Sequence, residues 1–436
     1  MHTLSDLRAG KLAGIKRLAL TCGLTEFPQE IFSLGDSLEM LDLSGNALTD
    51  LPHDLHRLEH LKILFCSNNP FTHLPESIGQ CQQLQVVGFK ACRIREVSAR
   101  ALPPQLRSLI LTDNCIEFLP DELGNYKTLQ KLMMAGNQLR YLPASLARCE
   151  RLELLRISAN HIAQLPEWLL KMPALAWLAC AGNPLSSAPV DTPIHPIAWQ
   201  DLQLQQVLGQ GASGVIQQAL WSGDDRAPQP VAVKLYKGAV TSDGSPLNEM
   251  AACIAAGNHP NLINVEGQIY GHPADVDGLV MQLISPDFIN LAGPPSLQTC
   301  TRDIYGETRF APSVALRIAV GVAAATAHLH THGLTHGDLY GHNVLWNEHG
   351  QCLLGDFGAA SFYPDAQTGL QLERLEVRAY GILLGELIDR CDAMDADLRS
   401  GLTGLQAQCV QPNVAQRPSF LEIERALVSW QEACSR

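Results

Sequence analysis

Leucines recur along the first half of the chain with a fixed period. Aligned units begin at Ile15, Leu38, Leu61, Leu84, Leu106, Leu129, Leu152 and Leu175, 23 residues apart with one 22-residue step. One unit reads Leu38-x-x-Leu41-x-Leu43-x-x-Asn46-x-Leu48-x-x-Leu51-Pro52-x-x-Leu55. Leu41 and Leu43, one residue apart, predict a short strand whose alternate side chains point inward. One unit cannot bury such a face alone, so the period predicts a stack in which each repeat covers the next. Asn46, Asn69, Asn114, Asn137, Asn160 and Asn183 share one position of the repeat, and Gly23 and Cys92 take it in two units. The unit from Leu84 is also the short one and lacks the Leu-Pro step, having Pro103-Pro104 later, so a local irregularity is expected there. The opposite face of the strands carries Met40, Ile63, Phe65, Val86, Ile110, Met133, Leu154 and Trp177, with Lys131 and Arg156 among them.

Past Asn183 the period stops. Pro184, Pro189, Pro193 and Pro196 mark a short, stiff connection. The pattern divides the chain into a repeat domain over 1–190, a linker over 191–200 and a second domain over 201–436. In the second domain the apolar positions form runs. Asp201–Val207, Val231–Leu235 and Gly278–Ile284 read as strands, and Val314–Leu329 as a buried helix. That helix is too short, and too interrupted by Arg317 and His328, to span a bilayer.

Composition narrows the picture. With 46% hydrophobic and 17% charged residues the chain is globular, not disordered. No basic stretch followed by an apolar core opens it, so no signal peptide is expected. Thirteen cysteines without paired metal spacing read as reduced, buried thiols, which suits a cytoplasmic location. The net charge of −13 is uneven: residues 1–194 carry −1 and the rest −12, with Lys234 and Lys237 the only lysines beyond 194. So acidic a body argues against nucleic acid or an anionic membrane as partner.

Five motifs follow one another in the second domain. Gly209-x-Gly211-x-x-Gly214, with Val215 directly after, is a loop whose glycines let backbone N–H groups approach phosphates. Val231-Ala232-Val233-Lys234 ends an apolar strand on a cation, and Glu249 follows in Leu247-Asn248-Glu249-Met250-Ala251. His336-Gly337-Asp338-Leu339-Tyr340-Gly341-His342-Asn343 then precedes Asp356-Phe357-Gly358. Each alone is a weak signal, but the ordered set is the part list of a phosphotransfer site.

Residues from about 15 to 190 resemble the leucine-rich repeat family, and those from about 197 to the end resemble the eukaryotic-like protein kinase family. The implied fold class is α/β: a leucine-rich-repeat solenoid followed by a two-lobed α+β protein kinase fold. The repeat resemblance implies an asparagine ladder that satisfies backbone groups in the turns. It also implies a concave face that takes a protein ligand, with Met40, Phe65, Met133 and Trp177 as contacts. The kinase resemblance implies Ser/Thr phosphotransfer from ATP with Mg²⁺ onto a protein substrate. Lys234 would hold phosphates and pair with Glu249; Asp338 would be the catalytic base; Asn343 and Asp356 would hold the metal. Leu208, Val215, Ala232 and Leu345 would enclose adenine, Met281 would stand behind it, and backbone groups of Gln282 and Ile284 would bond it. Arg417 is similar to a late structural arginine of the family, with Glu373 as its nearest partner.

Four departures stand out. Gly337 replaces an arginine that receives an activation-loop phosphate, so gating by loop phosphorylation is not expected. Tyr340 replaces a lysine near the γ-phosphate. About 17 residues separate Gly358 from Glu376, which resembles the start of a core helix, and Asp389–Thr403 leaves little room for another helix. Ser361, Tyr363 and Thr368 are hydroxyls open to autophosphorylation. His-Gly-Asp-Leu-x-x-x-Asn also resembles small-molecule phosphotransferases acting on aminoglycosides or choline, and a weakly active ATP-binding scaffold is a further alternative.

Overall fold

The computed structural model describes residues 2–185, 194–211, 213–223, 227–238 and 240–434. Pro189 and Pro193, read as part of the linker, lie outside them. Packing divides the chain into two compact units, Met1–Ala174 and Leu175–Arg436.

The first unit opens on the short helix α1 (Leu4–Arg8), capped by Thr3, whose Oγ1 accepts the Asp6 N–H at 3.1 Å. Seven three-residue strands follow, one per repeat: β1 (Arg17–Ala19), β2 (Met40–Asp42), β3 (Ile63–Phe65), β4 (Val86–Gly88), β5 (Ser108–Ile110), β6 (Lys131–Met133) and β7 (Leu154–Arg156). Each lies parallel to the next, position on position, as Met40 with Ile63 and Leu41 with Leu64. The central residues Leu41, Leu64, Val87, Leu109, Leu132 and Leu155 are fully buried, the inward face that the alternation predicts.

The asparagines act as expected. Asn137 Nδ2 donates to Leu111 O (2.9 Å) and Met134 O (3.0 Å), and its Oδ1 accepts the Ile116 N–H (3.0 Å). Asn69, Asn114 and Asn160 repeat the arrangement one turn apart. The residue before each ladder position turns the chain through the left-handed region, including non-glycines at Asn68, Ala91, Asp113 and Ala159 (φ 52–58°). At the short unit the sheet register continues unbroken from Val86 to Ser108, so the expected irregularity does not reach the sheet. It is chemical instead: Cys92 offers a thiol, 3.5 Å from Cys66 O, where its neighbours offer an amide.

The second unit begins with β8 (Trp177–Ala179), the strand of the eighth repeat, and then β9 (Pro196–Ala198). An antiparallel sheet follows from β10 (Leu202–Gln210), β11 (Gly214–Trp221), β12 (Gln229–Tyr236), β13 (Val265–Tyr270) and β14 (Gly278–Gln282), in the order β10-β11-β12-β14-β13. β9, within the segment read as linker, adds to the β13 edge in parallel. Ile197 joins Leu202, Ala219, Val231, Val233, Ile269 and Val280 in the core of this sheet. Helix α2 (Pro246–Ala256) packs beside it. Ser245 Oγ caps its start, Pro246 presets the first turn, and Gly257 (φ +64°) ends it. Its buried positions Glu249, Ala252, Cys253 and Ala256 recur at helical spacing and make one face.

The helical part contains α3 (Pro312–Thr331), α4 (Ala366–Asp389), α5 (Ala396–Val410) and α6 (Phe420–Cys434). Short ladders join them: β15 (Ile289–Asn290) with β17 (Val344–Trp346) and β18 (Cys352–Leu354), and β16 (Leu334–Thr335) with β19 (Ser361–Phe362). Among the described residues α3 is the one helix long and apolar enough to cross a membrane, which corrects the reading that it is too short: it runs two residues further at each end than Val314–Leu329. It packs against α4 and α6, and Tyr380 of α4 donates to its Ala319 carbonyl at 2.9 Å. Helix α4 corrects the sequence reading. It starts at Ala366, where Asp365 Oδ1 caps the Thr368 N–H (2.9 Å), ten residues before Glu376. The segment between Gly358 and the helix is therefore only residues 359–365.

Replacing Asn137 by Ala strands the Ile116 N–H in the core and leaves the Leu111 and Met134 carbonyls with one amide donor each, Asn114 and Asn160. We expect a loss of about 3 kcal/mol in stability, read as a lowered urea midpoint for the repeat unit.

Candidate active site

Beneath the glycine loop lies a cavity of about 290 Å³. Its walls come from β10 and β11 (Gly209, Gly211, Gly214), β12 (Lys234), α2 (Glu249), β14 (Met281) and the Gly355–Phe357 segment. Lys234 Nζ pairs there with Glu249 Oε1, and their side chains are only 13% and 3% exposed. Burial pulls the Lys234 pKa down, but the Glu249 carboxylate more than offsets it, so the ammonium is held. Burial raises Glu249, with Lys234 and Ser213 opposing. Behind them Lys234 lies over the Tyr236 ring (5.1 Å), and burial pushes the Cys253 thiol up to about 12, so it stays protonated and unreactive.

The loop 336–343 is bonded to Gly355, at the start of the segment that lines the cavity. His336 is fully buried. The Asp338 N–H donates to its Nδ1 (3.3 Å), which leaves the proton on Nε2, the atom that donates to Gly355 O (2.8 Å). One ring thus ties the Asp338 segment to the Asp356 segment. Asn343 Nδ2 donates to the Asp338 carbonyl and to its Oδ2, both at 2.9 Å, while the Gly355 N–H donates to Asn343 O (3.0 Å). Asp356 sits at φ +58° and its Oδ1 accepts the Gly358 N–H. Phe357 is buried, its ring 5.4 Å from His336. Glu376 reaches in from α4: Oε1 accepts the Gly337 N–H and Oε2 pairs with His330 Nε2, each at 2.7 Å. Burial pushes the Glu376 pKa up, but these partners outweigh it and hold it below the carboxylate range.

The structure brings together Gly209, Gly211, Gly214, Lys234, Glu249, Met281 and Asp356 around the cavity, and Asp338 with Asn343 beside it. Leu208, Val215, Ala232, Gln282, Ile284 and Leu345 are not in its lining. Leu208 is exposed, and the Gln282 N–H is committed to Asn264 O (2.9 Å). Val215 is corrected to Ile216. The residue in register with Lys234 is Ile216, and Ile216 lines the cavity. The two-residue strand period from Gly214 carries that signal. Ser213, Cys253, Ile263 and Gly355 also line it and were not singled out; Cys253 was legible as the helical neighbour of Glu249 at i+4.

Other sequence expectations change. Trp177 is fully buried and so is not an exposed contact for a partner. Met133 is buried, while Met40 and Phe65 are half-buried, the Phe65 ring lying where a Gly88 side chain would stand. Arg417 donates to the carbonyls of Gln411 and Arg374 (3.0 Å each), and Glu373 accepts from Tyr363 (3.1 Å). Ser361 is buried, and Thr368 bonds the helix cap. His328 and His332 each bond a main-chain carbonyl, of Ala256 and His328 respectively.

Under the loop lies a polar cluster with no local sequence signal. Asp303 accepts from the His342 N–H and pairs with its Nδ1 (2.7 Å), and Tyr305 donates to Glu386 (2.9 Å). A Cβ on Gly341 would lie 2.5 Å from the Tyr305 hydroxyl, so only glycine fits. Burial, with Asp303 adding to it, pushes Glu386 up to about 7, against Tyr305, Arg302 and Arg390.

Comparison with known proteins agrees with these geometries. Residues 202–379 match the protein tyrosine and serine/threonine kinase family, and residues 13–71 and 104–162 match the leucine rich repeat family. The chain is 28% identical over 174 residues to serine/threonine-protein kinase mos of Gallus gallus, covering 38% of this chain and 48% of that protein. It is 29% identical over 145 residues to cyclin-dependent kinase 11.1 of Caenorhabditis elegans, covering 33% of this chain and 19% of that protein. It is 43% identical over 86 residues to TMV resistance protein N of Nicotiana glutinosa, covering 19% of this chain and 7% of that protein. The chain thus spans less than half of each of these relatives. It consists of leucine-rich repeats followed by a protein kinase domain.

A raised carboxyl pKa means that the fold favours the protonated form. The Glu386 contribution is full below its ordinary 4.5 and is lost as pH rises through about 7. We expect the stability of the second unit to fall by about 3 kcal/mol between pH 4.5 and 8, measured by urea unfolding. Glu386→Gln should remove most of that slope. His342 leaves a smaller slope of the same sign: burial lowers its pKa, but Asp303 raises it further.

Proposed function

We propose that the chain is an ATP-dependent protein kinase that transfers the γ-phosphoryl group to Ser or Thr hydroxyls, with the repeats recognising a protein. The observation that carries this reading is the convergence on one cleft of the buried Lys234–Glu249 pair, the glycine loop, and the Asp338–Asn343 and Asp356 segments. The glycine loop presents N–H groups to phosphates, and Lys234, its charge fixed by Glu249, supplies a permanent cation for them. In this reading Asp338 takes the proton of an attacking hydroxyl. The hydroxyl oxygen bonds to the γ-phosphorus, the bond to the β-phosphate oxygen breaks, and ADP leaves.

Asn343 and Asp356 are hard oxygen donors held side by side through the Gly355–Asn343 bond, a set that suits magnesium carried in with the nucleotide. Magnesium would neutralise phosphate charge there. Support for Ser/Thr acceptors comes from relatives named as serine/threonine-protein kinases, and support for a protein substrate from the kinase-family match.

The test is incubation with MgATP labelled at the γ-phosphate. Wild type should label protein on Ser or Thr. Asp338→Ala should lose at least a hundredfold in rate while keeping nucleotide affinity; Lys234→Ala should weaken both. Label found on an added aminoglycoside or on choline, and not on protein, would overturn the protein-kinase reading. Nucleotide binding without transfer in wild type would make the chain a scaffold.

A further inference from the structure

We propose that Trp177 is a positioning residue for Asp338, so that the strand of the eighth repeat is a working part of the phosphotransfer site. The inference rests on the kinase reading above for its consequence in rate, but not for its geometry. Trp177 has no exposed surface. Its indole N–H donates to the Leu339 carbonyl at 3.0 Å. Its ring stacks on Tyr340 with centroids 4.2 Å apart and planes 6° from parallel. The Arg302 guanidinium lies over the ring at 5.6 Å. Leu339 and Tyr340 are the two residues after Asp338, and one side chain fixes both.

Neighbouring positions of the strand act on the same loops. A Cβ on Gly337 would stand 2.8 Å from the Leu178 carbonyl and 2.4 Å from that of Ala359. With φ at +73° as well, position 337 admits only glycine while β8 lies there. The Cys180 N–H donates to Ser361 Oγ at 3.0 Å, which ties the strand to the segment after Gly358. On its N-terminal side the loop is held by Glu376 and His336, and Asn343 holds the far end. Trp177 supplies the middle support.

Simple packing would need only an apolar side chain of the right size. A buried indole also brings a donor that must be satisfied, and here its acceptor is the backbone next to Asp338. Positioning energy of this kind shows in the turnover step more than in nucleotide binding, because the glycine loop and Lys234 are untouched.

The experiment uses the full chain with Trp177→Phe, which keeps a stacking ring and loses the N–H, and Trp177→Ala, which loses both. Each is followed by steady-state transfer, melting temperature, and amide hydrogen exchange of the 337–343 segment. The expected result for Trp177→Phe is a roughly tenfold lower kcat, unchanged KM for ATP, a melting temperature near wild type, and faster exchange in that segment. Trp177→Ala should show a larger drop in kcat and faster exchange still. Unchanged kcat in both variants, or losses that merely follow the folded fraction, would overturn the proposal. If wild type proves inactive the kinase reading fails by itself, and exchange decides the positioning claim: protection of 337–343 that survives both substitutions would refute it.

Discussion

The catalytic unit is organised around one buried carboxylate. Glu376 stands on the long helix α4, is 3% exposed, and is bonded to the Gly337 N–H and to His330. An unpaired carboxylate at that depth would be strongly unfavourable, so its partners are not optional. The Gly337 bond places the first turn of the loop against the helical core. From there the chain of contacts runs through His336 to Gly355 and through Asn343 back to Asp338. Most bonds in this series fix backbone atoms, and one also holds Asp338 Oδ2, so the Asp338 segment and the cavity-lining Asp356 share a rigid base.

The second anchor is a charge pair instead of a charge–backbone contact. Lys234 belongs to the sheet and Glu249 to α2, so their bond sets the distance between those two elements. Both are buried, and removing either one leaves the other charged or forces it neutral in a poor solvent. The same residues therefore define the cavity width and its electrostatic character.

Much of this was legible in the sequence, for physical reasons that differ by region. In the repeats the inward leucines and the asparagine ladder follow from a period that every unit obeys, so each prediction is made many times over. The motif residues of the second unit were legible because they are local: Lys234 ends a strand, and Asp338 and Asn343 share one tight loop. What was missed depends on direction or distance. Ile216 was displaced by Val215 although only the strand period separates them, and a one-residue slip changes the face. The start of α4 was placed at Glu376, although Asp365 and Thr368 carry a capping signal ten residues earlier. Asp303 bonds a residue 39 positions away, and no pattern in a single sequence encodes such a pair.

Trp177 shows how one pattern can give a correct orientation and a wrong environment. Strand alternation puts it on the same face as Met40 and Phe65, and on an isolated repeat that face meets solvent. In the second unit it meets the loop after Asp338. Two of the positions at which the kinase pattern is broken lie against this strand: Tyr340 on Trp177 and Gly337 on Leu178. Tyr340 supplies the flat ring that a lysine could not, and Gly337 supplies the missing Cβ that lets the Leu178 carbonyl approach. Read as isolated losses, these substitutions weaken a site. Taken with β8 beside them, they are the complementary surface for a support that the loop carries permanently, which a phosphate added to the short 359–365 segment could not provide.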